Sequence, residues 1–109
     1  MRVQPMHKDT TVPGLGNAFE PKTNTVGVQF ALHGVGAVSA DVQMVGRIVP
    51  DAPTENIGDL IAISGTAAVG EPVTDSVTLT GLSAAQLWAN VTSLGSVISF
   101  RAYAAEGDA

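Results

Sequence analysis

Cysteine is absent from this 109-residue chain, which removes disulfides, thiolate zinc sites, iron–sulfur clusters and cysteine nucleophiles from consideration. Charge is scarce as well: Asp, Glu, Lys and Arg make up 14% of the residues, against about 25% in an ordinary soluble domain. The aromatic residues are only Phe19, Phe30, Trp88, Phe100 and Tyr103, so a core must be built largely from Val, Ile, Leu, Met and Ala. No apolar stretch approaches the roughly 18–20 residues a helix needs to cross a bilayer. Met1-Arg2-Val3-Gln4-Pro5 leads into polar sequence and lacks the apolar segment of a signal peptide. Basic residues are few, and residues 48–109 set seven carboxylates (Asp51, Glu55, Asp59, Glu71, Asp75, Glu106, Asp108) against Arg101 alone. Such a body repels phosphate, whereas nucleic-acid affinity comes largely from Lys and Arg. Neither a nucleic-acid nor a membrane partner is therefore expected.

What is present is enough to fold. Hydrophobic residues make up 45% and the net charge is −5, with a mean hydropathy of +0.27, a balance that excludes disorder over most of the chain. The length suits one domain. Residues 1–24 hold no sustained period, and Val12-Pro13-Gly14-Leu15-Gly16 and Pro21 break the chain, so they read as an extended N-terminal arm. From Thr25 the pattern changes. Val26, Val28, Phe30 and Leu32 alternate with polar or small residues, as do Val38, Ala40, Val42 and Met44; Gly34-Val35-Gly36 between them predicts an antiparallel hairpin over 25–33 and 38–48. Further strands are predicted at 59–63, 73–80, 87–94 and 97–104, the last two as a second hairpin about Leu94-Gly95-Ser96. Ser83-Ala84-Ala85-Gln86-Leu87 is the one helical candidate, a single turn capped by Ser83. Short strands separated by turn signals give an all-β fold, a small antiparallel β-sandwich or jelly-roll-like barrel over residues 25–105. Residues 106–109 form a short acidic tail.

Chemistry is hard to find in this pattern. His7 and His33 are the only imidazoles, and no spacing joins either to Ser39 or Asp41 as a base–nucleophile or metal pair. Gly14-Leu15-Gly16 and Gly34-Val35-Gly36 lack the third glycine and the following helix of a phosphate cradle. Asp51, Glu55 and Asp59 lack the ligand spacing of a calcium loop, which gathers six to eight oxygens. No catalytic, cofactor or metal site is expected. The candidates for contact with partners are the isolated apolar residues of the arm, Val12, Leu15 and Phe19, together with Trp88, a residue type enriched among interface hot spots. Low surface charge suits coverage in an assembly, so self-association is expected too.

Ala89-Asn90-Val91-Thr92-Ser93-Leu94-Gly95-Ser96-Val97-Ile98-Ser99-Phe100, preceded by Leu60-Ile61-Ala62-Ile63-Ser64-Gly65-Thr66 and by Asp41-Val42-Gln43-Met44-Val45-Gly46, resembles small structural proteins of tailed bacteriophages. The resemblance spans about residues 38–104. Trp88 stands where that group has Arg, and Arg47-Ile48-Val49-Pro50 replaces an aspartate-rich turn. The resemblance implies a virion protein made in the host cytoplasm, a capsid decoration (cement) protein on the exterior of the shell, with the major capsid protein or other virion proteins as partners. A tail, collar or fibre-associated adaptor is the alternative, and a small glycan-binding module a third.

Overall fold

The alternation at Val26, Val28, Phe30 and Leu32 becomes a strand whose buried side chains all point one way, and the same rule builds most of the molecule. A computed structural model describes residues 1–107. Its strands are β1 (Arg2–Thr10), β2 (Val26–His33), β3 (Gly36–Arg47), β4 (Glu55–Asn56), β5 (Ile61–Ala67), β6 (Val73–Leu79), β7 (Gln86–Gly95) and β8 (Ser99–Glu106). The first sheet has the order β1-β8-β2-β6. In the second, β3 is central, with β7 on one edge and both β4 and β5 on the other. All pairings are antiparallel. The fold is the expected all-β sandwich.

The core lies between the sheets. Val28, Phe30 and Leu32 of β2 and Phe100, Ala102 and Ala104 of β8 face Val38, Ala40, Val42 and Met44 of β3 and Leu87, Ala89 and Val91 of β7. Burying each larger aliphatic or aromatic side chain contributes about 1.5–3 kcal/mol. β4 and β5 form one interrupted strand. In unbroken register Val42 would face Asp59; it faces Ile61, so residues 58–60 bulge outward, and the Gln43 amide donates to the Gly58 carbonyl at 3.1 Å.

Both predicted hairpins are corrected. β2 pairs with β6 and β8, whereas β3 pairs with strands of the other sheet; β7 and β8 are likewise divided between sheets. The chain thus crosses the sandwich at 34–35 and again at 96–98. The crossings lie side by side: the Ile98 N–H donates to the His33 carbonyl at 2.8 Å, and a Cβ on Gly34 would sit 3.0 Å from the Ser96 carbonyl oxygen. A side chain there would crowd both that carbonyl and the Val38 side chain, 2.8 Å from the same Cβ position, which favours glycine.

The N-terminal arm is corrected as well. Residues 2–10 are strand β1, paired with β8, with bulges between Pro5 and His7 and between His7 and Thr10. The bulges bury the consecutive residues Met6 and His7, which erases the period-2 signal. Residues 83–87 form no helical turn; Gln86 and Leu87 already belong to β7. The acidic tail does not begin at Glu106, which ends β8 and is buried; Asp108 and Ala109 lie outside the described residues.

Candidate functional site

His7, one of the two imidazoles, is 2% exposed. Its Nε2 lies 2.6 Å from the Ala89 carbonyl, and since a carbonyl only accepts, Nε2 carries the proton. Nδ1 is hydrogen-bonded to the Thr10 hydroxyl at 2.9 Å. The ring also meets Phe100 edge-on at 5.3 Å. Residues 11–20 run along the outer edge of β7, where Gly14 exchanges backbone hydrogen bonds with Val91 and Phe19 with Leu87. Between those two bridges the imidazole takes the Ala89 carbonyl, completing the cover of the edge. Gly16, at φ +71, lies flat against it, and a Cβ there would come within 2.6 Å of the ring.

The end of this segment is held by Glu106. Its carboxylate accepts from Arg2 Nε at 2.9 Å, from the backbone N–H groups of Lys22 and Thr23 at 3.0 and 3.2 Å, and from the Thr23 hydroxyl at 3.1 Å. Burial opposes the charge, but Arg2 and these donors outweigh it and hold the pKa below the ordinary glutamate range. Arg2 also lies 4.5 Å over the Phe19 ring. These groups serve structure: every one of them is consumed in binding one part of the chain to another.

The four residues singled out from sequence are not brought together. Phe19 is fully buried, so it is a core residue and no free contact for a partner. Its location could not be read from composition, because one Phe in a breaker-rich segment suits a buried and an exposed position equally. Trp88 lies half-buried on the outer face of the second sheet, opposite Val45, with Arg47 5.1 Å over its ring. Val12 and Leu15 remain exposed. His33 belongs to the first sheet, while Ser39 and Asp41 face outward from the second, where Asp41 accepts from the Ser93 hydroxyl at 3.0 Å. Asp51, Glu55 and Asp59 are exposed, and among the described residues no group of three or more His, Asp or Glu is placed to hold a metal ion.

Three residues that sequence reasoning missed, Val35, Val69 and Ile98, join Val12 at one end of the sandwich. Loops 11–13, 34–35, 68–72 and 96–98 all leave strand ends there. They present Val12, Val35, Val69 and Ile98, each between 65% and 89% exposed. Glu71 is the only charged residue in these loops. The nearest other charges on β1 and β8, Asp9 and Arg101, neutralise one another at 2.8 Å. The Ser99 hydroxyl and Arg101 hold the Asp9 pKa below its ordinary value. The opposite end carries a groove of about 380 Å³ between residues 46–57 and 80–84, lined by Ile48, Pro53, Ile57 and Leu82 among others. Asp51 and Glu55 lie at that end.

Four branched aliphatics held in water at one end of a charge-poor body are a surface that gains by being covered. Val12, Val35 and Val69 each stand beside a glycine or proline, whereas Ile98 follows Val97 in a run read as a strand, and only the topology gathers the four turns. No protein-family model, curated protein or solved structure matches the chain.

Proposed function

We propose that this chain is a virion structural protein of the capsid-decoration type, binding the outer surface of a bacteriophage shell through its apolar end. The observation that carries the reading is the set Val12, Val35, Val69 and Ile98, exposed together with Glu71 as the only charge in their loops. Its assignment to a virion rests on the resemblance of residues 38–104. The mechanism is binding alone. A protein that gains buried apolar area only on the assembled lattice stabilises that lattice over free subunits by mass action, by about 2.7 kcal/mol at a hundredfold excess over Kd. The acidic body suits the exterior, because DNA inside the shell would repel it.

Cosedimentation with empty capsids followed by heat challenge tests this. Binding and a raised shell dissociation temperature are expected, and Val69→Asp or Ile98→Asp should abolish both while leaving the unfolding midpoint of the protein unchanged. A protein that ignores shells overturns the reading and directs attention to tail or collar components.

A further inference from the structure

A strand at the edge of a sheet shows unpaired N–H and C=O groups, and proteins guard such edges with charge, proline, bulges or a cover. Three of the four outer edges here are guarded. β7 is covered by Gly14, Phe19 and the His7 ring. β1 contains Arg2, Pro5, Lys8 and Asp9 and is bulged. β6 has Asp75 at its centre and follows Glu71 and Pro72. Within residues 61–67 β5 has none of these devices: from Leu60 to Val69 there is no charge and no proline, and the bulge at 58–60 with Asp59 lies before it. On its inner edge β5 is bonded to β3, and its backbone bonding to β6 is confined to the turn bridged by Ala68 and Glu71, the Val73 side chain packing over Gly65.

We propose that two copies of the chain pair antiparallel along β5, about a two-fold axis at Ser64, joining their second sheets into one continuous sheet. The strand is shaped for its own copy. In this register Ile63 meets Gly65 of the second copy, Ile61 meets Ala67, and Ala62 meets Thr66, so each isoleucine faces a glycine or alanine and no two bulky side chains collide. The contact is isologous, as two-fold pairing requires. A body of net charge −5 repels its own copy, and β5 is the edge where two copies meet with no charge within the strand. Asp75 on β6 keeps the first sheets apart, and Asp59 and Glu71, flanking β5, confine the overlap to residues 61–67. Because the strands are antiparallel, the two apolar ends point apart and each stays open. The inference stands independently of shell binding.

Sedimentation equilibrium of the full chain tests it, with a species at twice the chain mass of 11.1 kDa expected. Ser64 is exposed, so Ser64→Asp and Ser64→Lys should keep the fold, shown by an unchanged far-ultraviolet circular dichroism spectrum. Each alone places like charges opposite one another and should sediment at the single-chain mass, whereas an equal mixture should recover the double mass as a heterodimer. Wild-type protein at the single-chain mass at every concentration overturns the proposal. So does S64D assembling like the wild type, or a mixture that stays at single mass. Shell binding is scored on Val69→Asp and Ile98→Asp instead, so a failure of either reading is told apart from a failure of the other.

Discussion

Along one side of the sandwich, β1 and β7 are joined by residues 11–20, by the His7 imidazole and by the Glu106 carboxylate with its donors. Along the other, β5 and β6 share backbone hydrogen bonds only at the turn 68–71, with the Val73 side chain packed over Gly65, and belong to different sheets. The closed side uses desolvated polar groups, each with a partner, and no buried side-chain nitrogen or oxygen among the described residues lacks one. The open side uses Ser, Thr, Ala and Gly, which stabilise little and obstruct little. Two edges of similar length therefore divide the work: one holds the fold together, the other leaves backbone groups available to a partner.

The sharpest way to break that comparison is Phe19→Ala. Phe19 sits fully buried between β7 and Arg2, and its removal should cost about 3–5 kcal/mol. On the open side Val73→Ala, at a half-buried position of β6, should cost only about 1 kcal/mol. Both are measured as shifts in urea midpoint, and equal shifts would end the distinction between the sides.

Glu106→Gln should follow, with a loss of about 2–3 kcal/mol at neutral pH, because a buried carboxylate is removed from Arg2 and from the N–H groups of Lys22 and Thr23. The loss should depend on pH in a definite sense. A pKa held below its unfolded value contributes stability that is fully present above the unfolded value and disappears as pH falls through the folded one. Wild type and E106Q should therefore converge in acid, and a constant gap between their stability curves would assign the effect to packing instead of charge.

Gly16→Ala should cost about 1–2 kcal/mol, since a left-handed φ is unfavourable for alanine and the added methyl meets the His7 ring. Hydrogen exchange localises the effect: the amides of Leu87 and Val91, which donate to Phe19 and Gly14, should exchange faster, while those of β5 should not change.

The central strands were more legible in the sequence than the edges, where β5, expected at 59–63, lies at Ile61–Ala67, and the reason is physical. Strands β2, β3 and β8 bury one face each, so alternation reveals them. The same alternation hides their partners, because a glycine-containing turn serves equally to fold a strand back on its own sheet or to pass it to the opposite one; only the strand pairing shows that the chain crosses. β1 was illegible because its bulges bury Met6 and His7 in succession. Glu106 and Arg2, 104 positions apart, carry no local sign of their pairing, and each reads as an ordinary terminal charge. The apolar end is the intermediate case, with residues visible and their gathering invisible until the strand order is known.

The smallest expected effect is on β5 itself. Ser64→Asp changes one exposed side chain on the outer face of the second sheet, with buried Ile63 untouched, and should move the stability of the single chain by no more than about 0.5 kcal/mol. Val3→Asp on β1, an edge already bearing Arg2, Lys8 and Asp9, is the matching control, and it should alter neither stability nor mass. If β5 were simply an unguarded edge that water satisfies, the two substitutions would behave alike in every measurement. A change of mass confined to Ser64, at unchanged stability, separates an edge kept open for pairing from one left open because nothing required it to be closed.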